Sequence, residues 1–201
     1  MGYFIGVDLG TTYTAAAVAR DDRVEVAALG NHSTAVSSVL WVGENGDVLV
    51  GDAAQRRALI DPARVAREFK RRLGDTTPLL LGGTPYSVES LSAKLLSWVV
   101  AEVTRTEGSP PDGVAVTHPA NWGAYKQDLL AQAVRLADLP AATTLTEPQA
   151  AATFYASQQR VEAGDVIAVF DLGGGTFDAA VIRKVDEGRF DILGQPEGIE
   201  R

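Results

Sequence analysis

The sequence predicts an α/β fold, a mixed sheet flanked by helices, with a second sheet begun near the C-terminus. Three observations carry this: a strand, Asp, Gly-rich turn, strand unit that occurs twice; a helical apolar period from Ser87; and a run of strand signals after Asp165.

The 201 residues are 46% apolar and 22% charged, which is enough to bury a real core. A formal charge of -8 argues against sequence-independent gripping of nucleic acid and leaves a single nucleotide possible. Cysteine is absent, so disulfides, thiolate catalysis and Cys-ligated metal centres are excluded. Met1 to Asp8 lacks the basic region and apolar run of a secretory signal, and no run of about 20 apolar residues follows. The segment reads as cytoplasmic, with no membrane contact of its own.

In chain order, Tyr3 to Val7 is a strand, Asp8 to Thr12 a turn, Tyr13 to Ala19 a returning strand, and Val24 to Leu29 a third strand after Asp21-Asp22. Asn45-Gly46 favours a tight turn between Val39 to Val42 and Val48 to Val50. Val88, Leu91, Leu95, Val99 and Val103 recur at helical spacing until Gly108 to Pro111 stops the run. Val114 to Val116 returns to strand character before His118-Pro119. Leu129, Ala133 and Leu136, with Leu130, Val134 and Ala137 alongside, form the stripe of a second long helix. Thr146 and Gln149 have the spacing of a capping box opening a third helix at Glu147-Pro148. Asp165 to Phe170, Phe177 to Ile182 and Arg189 to Leu193 then read as a three-stranded meander.

The repeat governs the functional reading. Ile5 to Tyr13 resembles Ala168 to Phe177, with one residue added in the second turn. Two such turns facing each other could hold a phosphate chain from both sides, because glycine permits close approach of backbone N–H groups to phosphate oxygens. Gly10-Thr11-Thr12 and Gly173-Gly174-Gly175-Thr176 are the two candidates, and ordinary hairpin turns are the bland alternative. Asp8 and Asp171 at equivalent strand ends could hold waters around a magnesium ion; alternatively each closes an Asx turn. Asp171 could also orient a water, as could Glu147, whose charged form the dipole of the third helix favours. Lys70 could pair with a transferring phosphoryl group, or simply face solvent with its basic neighbours; Arg64, Arg67, Arg71 and Arg72 carry no comparable signal. His32 and His118 default to surface or turn roles, and Trp41, Trp98 and Trp122 to packing.

These residues resemble the nucleotide-binding domain of the seventy-kilodalton heat-shock chaperone family, within the sugar kinase, heat-shock protein and actin superfamily. Ile5 to Tyr13 is similar to the family's first phosphate loop, Lys70-Arg71 with Gly74 to its lysine segment, and Val114 to Asn121 to its strand and proline turn. Glu147-Pro148 followed by Ala150 to Ala152, then Asp171 to Asp178, complete the order. Thr146 stands where the family usually has asparagine, and the stretch between Arg71 and Tyr86 looks shortened.

The resemblance implies an actin-like ATPase (ribonuclease H-like) fold, with ATP or ADP and Mg2+ as cofactors. Asp8, Asp171 and Glu147 would arrange magnesium waters and the hydrolytic water. Gly10, Thr11, Thr12, Tyr13, Gly173, Gly174, Gly175 and Thr176 would form the phosphate loops, and Lys70 would stabilise the transferred phosphoryl. Residues 1–160 would form a first lobe, with about 35–112 as its upper subdomain. Residues 161–201 would be the first three strands of a second lobe truncated there. The parent would be a chaperone ATPase serving client polypeptides with co-chaperones, and this segment alone nearly inactive. A small-molecule kinase (sugar or acetate) and an actin-like scaffold are the alternatives. Residues 165–193, lacking covering helices, are expected to self-associate.

Overall fold

The computed structural model describes residues 2–21, 23–30, 33–139, 141–174, 176–186 and 188–200. The architecture is mixed α/β. β1 (Phe4–Leu9) and β2 (Tyr13–Arg20) form the hairpin at the centre of the main sheet, with β3 (Arg23–Val26) and β4 (Ala35–Ser37) both pairing antiparallel with β2. On the other side of β1, β10 (Gly113–His118) and β11 (Thr143–Thr146) add in parallel. Parallel pairing needs a crossover, and α2 (Val88–Glu107) and α3 (Ala124–Leu136) lie in the two connections.

Between β4 and α2 sit the small sheet of β5 (Leu40–Val42), β6 (Val48–Val50) and β7 (Val65–Ala66), the short helix α1 (Asp52–Ala58), and the hairpin of β8 (Leu79–Leu81) and β9 (Thr84–Tyr86). Alternation in β1 buries Ile5, Val7 and Leu9 on one face. That face meets α2, whose Val88, Leu91, Leu95, Val99 and Val103 are all buried, so the predicted helical stripe is the core stripe. Ser87 caps α2 by accepting from Ser90 N at 3.2 Å, and Gly108 ends it at φ 77°. On α3 the buried face is Leu130, Ala133 and Val134, while Leu136 is 57% exposed, so the predicted stripe is one residue set too wide.

α4 (Glu147–Gln158) opens with the predicted capping box: Gln149 N donates to Thr146 Oγ1 at 3.4 Å, and Thr146 N donates to Gln149 Oε1 at 3.2 Å. The second sheet is the predicted meander of β12 (Val166–Leu172), β13 (Thr176–Asp186) and β14 (Arg189–Glu200), with β14 running well beyond Leu193. Its inner face, Ile167, Val169, Ile182, Phe190 and Ile192, packs on Ala152 and Ala156 of α4. The expectation that residues 165–193 lack covering helices is therefore corrected for this face; Val166, Phe170, Leu172, Val181 and Ile199 on the sheet are exposed.

Candidate functional site

The two Gly-rich turns come together across one cavity of about 300 Å³. Register shows that they are equivalent in length. Leu9 pairs with Thr14 and Leu172 with Phe177, so each turn has four residues, and the apparent extra residue in the second copy is absent. On the same register Asp8 lies opposite Ala15, whereas Asp171 lies opposite Asp178.

The close approach needs glycine at two places. A Cβ on Gly174 would lie 2.8 Å from Thr12 Cβ, and nearer still to its hydroxyl, so the second turn rests against the first only because Gly174 has no side chain. A Cβ on Gly10 would collide with the Tyr13 carbonyl. Ser38 fixes the first turn from behind: its Oγ donates to Gly10 O at 2.7 Å and its N to Thr12 O at 2.8 Å, while Oγ also meets Thr14 Oγ1 at 2.9 Å. Ser38 thereby takes up two carbonyls that would repel an anion.

Asp8, Gly10, Thr11, Thr12, Tyr13, Lys70, Glu147, Asp171, Gly173, Gly174 and Thr176 all line the cavity. Gly175 lies outside the described residues, as do His32 and Arg201. The sequence reading missed Arg71, Pro119, Trp122, Lys126, Leu172 and Asp178 as further lining residues. Asp178 had a legible signal, the antiparallel register across the second turn. Arg71, unlike Arg64, Arg67 and Arg72, also belongs to the wall.

Lys70 sits in a short 3-10 turn over Phe69–Arg72 and is buried, not solvent-facing. Its Nζ donates to Glu147 Oε1 at 3.1 Å and lies 5.3 Å from the Trp122 ring centroid. Glu147 is the first residue of α4, where the helix dipole favours the anion. Burial nevertheless raises its pKa, with Lys70 opposing and the charges of Asp8 and Asp171 reinforcing. Asp171 is also raised, first by burial and then by Asp8, against Lys70. Thr117 Oγ1 donates to Asp8 Oδ1 at 3.2 Å. His118 is buried, not at the surface; its ring stacks on Trp122 at 6.0 Å and 12°, and burial lowers its pKa, with Lys70 adding repulsion.

Four carboxylates (Asp8, Glu147, Asp171, Asp178) thus face three cations (Lys70, Arg71, Lys126) around one small cavity. A free polyanion would be repelled by the carboxylates, and a bare cation by the lysines; a cation–polyphosphate pair satisfies both walls. Among the described residues no cluster of three or more His, Asp or Glu could cage a metal. Two carboxylates on one cavity fit a magnesium ion that keeps most of its waters. No helix among the described residues is long and apolar enough to cross a membrane.

Comparison with known proteins assigns the chain to a family. The family model described as "Hsp70 protein" matches residues 4–80 and 78–196. The chaperone protein DnaK of Elusimicrobium minutum (strain Pei191) is 32% identical over 197 residues, which cover 96% of this chain and 32% of that relative. The chain therefore spans about a third of the curated relative it matches, and with a family match running through almost its whole length it belongs to the Hsp70 family.

Proposed function

We propose that this chain holds the phosphates of ATP or ADP together with Mg2+, and that in a longer chaperone it forms part of an ATPase acting on client polypeptides with co-chaperones. The observation that carries the reading is the single cavity where both Gly-rich turns, Asp8, Asp171, Glu147 and Lys70 meet. Bound Mg2+ would neutralise phosphate charge and polarise the terminal phosphoryl. Asp8 and Asp171 would hold its waters. The turns would donate N–H and hydroxyl groups to phosphate oxygens, and Lys70, kept in place by Glu147, would offset charge developing on the transferred group. Glu147 and Asp171, both with raised proton affinity, are suited to orient the attacking water and accept its proton.

We assign residues 1–160 to a first lobe, with about 35–112 as its upper subdomain, and 161–201 to strands of a second. Among the described residues the lining offers phosphate-type partners and only the rings of Tyr13 and Trp122 for a base, so the 201-residue chain should bind nucleotide weakly, discriminate poorly between bases and turn over negligibly. Titration calorimetry of the 201-residue chain with Mg2+ and ATP, and of its D8N and D171N variants, tests this. Weak binding lost in both variants is expected. No binding by the unaltered chain at millimolar nucleotide sinks the reading.

A further inference from the structure

We propose that Lys126 is a second cationic binding residue for the outermost phosphate, and that Trp122 is the positioning residue that gathers Lys126 and Lys70 onto one indole ring. This rests on the nucleotide reading above. Trp122 is 9% exposed and lines the cavity, with the Nζ atoms of Lys70 and Lys126 at 5.3 Å and 5.9 Å from its ring centroid. Its own placement is fixed on two sides: the His118 ring stacks on it, and Gln127 Nε2 donates to its carbonyl at 2.8 Å.

Two ammonium groups gathered at one ring concentrate positive charge on this stretch of the cavity lining. Lys70 has Glu147 as a further counter-charge, whereas Lys126 makes no ion pair with a described residue. Lys126 also occupies the first turn of α3, where a cation opposes the helix dipole, so helix stability does not account for it. Lys70 and Lys126 both line the cavity beside Trp122, so this stretch of its wall carries two ammonium groups. A doubly charged terminal phosphoryl group at Lys70 is the species that such a wall fits. The flexible lysine stem can swing its three donors onto it.

The test compares the 201-residue chain with K126M, W122F, W122L and the control K94M, whose lysine rests on Tyr86 instead. Calorimetry in Mg2+ would use tripolyphosphate, pyrophosphate, ATP and ADP, with thermal melts confirming that each variant folds. K126M should lose about fivefold to tenfold in affinity for tripolyphosphate and ATP, with less than about a twofold change for pyrophosphate and ADP. W122F should keep most of this preference for three phosphates and W122L should lose it, which a merely structural tryptophan would not do. Ligand should also change the part of the emission absent from W122F. A K126M result equal to K94M, or equal losses for two- and three-phosphate ligands, overturns the proposal while leaving the nucleotide reading standing. Failure of the unaltered chain to bind any of the four overturns both.

Discussion

The Nζ of Lys70 lies 3.1 Å from Oε1 of Glu147, 77 positions later, and the two side chains are 9% and 15% exposed. Removing one partner of such a pair leaves an uncompensated charge in a poorly hydrated place, and the two halves are not equivalent. E147L strands an ammonium, and should cost about 2 to 4 kcal/mol of stability. K70M leaves a carboxyl group that burial already pushes toward its protonated form, and should cost about 1 to 2 kcal/mol. The double variant should lie above E147L. Urea unfolding of all four proteins decides it, and losses that simply add would show that the pair is not coupled.

Asp171 titrates with the opposite sign from a salt-bridged carboxylate. Its folded pKa is raised, first by burial and then by the neighbouring charge of Asp8. The folded state therefore binds the proton more tightly than the unfolded chain. The resulting stabilisation is full below the ordinary carboxylate value and is lost as pH rises through the raised folded value. At neutral pH the ionised group opposes folding, so D171N should have a higher urea midpoint than the unaltered chain at pH 7, with the gap closing toward pH 4. A lower midpoint for D171N at pH 7 would contradict this. The same substitution removes a proposed magnesium contact, so stability and ligand binding should move in opposite directions.

The contact between the two turns is the most sharply bounded feature of the cavity. In G174A the new methyl group must displace Thr12, which shifts one turn against the other and should cost about tenfold or more in polyphosphate affinity. G6A serves as control, since an added Cβ there meets nothing within 4 Å. G174A should keep a near-normal melting temperature, because both turns are at the cavity rim and outside the buried clusters. Equal affinity for G174A and G6A would show that the turns do not act together.

How much of this was legible in the residues differs by kind of interaction. Local patterns read well: the alternation of β1, the helical stripe of α2, the Thr146 and Gln149 capping box and the three strands of the meander all follow from short-range spacing. The paired Asp8 and Asp171 were legible because a repeat places equivalent residues at equivalent strand ends. Short elements without strong periodicity were not: β4, α1 and β11, whose Thr143 to Thr146 run lacks alternation, form because neighbours supply pairing or packing. The cavity wall contributed by Arg71, Trp122 and Lys126 was also invisible. A basic cluster reads as surface until the fold brings a tryptophan and a glutamate from distant segments against it.

The outer face of the meander is apolar and exposed. α4 covers one side, around Ala152 and Ile182, but the other leaves Val166, Phe170 and Leu172 of β12 and Val181 of β13 exposed at 55%, 70%, 81% and 42%. Phe170 and Phe177 stack on each other at 6.3 Å and 13°, so cross-strand contact shelters them only from one direction. Each such side chain would contribute roughly 1.5 to 3 kcal/mol if fully buried, and a contiguous apolar face of this kind marks a contact surface. β12 and β14 are also the sheet's two edges, each able to pair with a further strand. A second copy of the chain offers the same face and the same edges, so the 201-residue protein should associate as a two-fold dimer through residues 165–193. Light scattering across a dilution series should show the apparent mass falling from dimer toward monomer. V166K combined with V181K, which places two charges on this face away from the nucleotide cavity, should shift the midpoint to about tenfold higher concentration or more. A protein that stays monomeric at every concentration, or a double lysine variant that dimerises as before, would show that this face is not the contact.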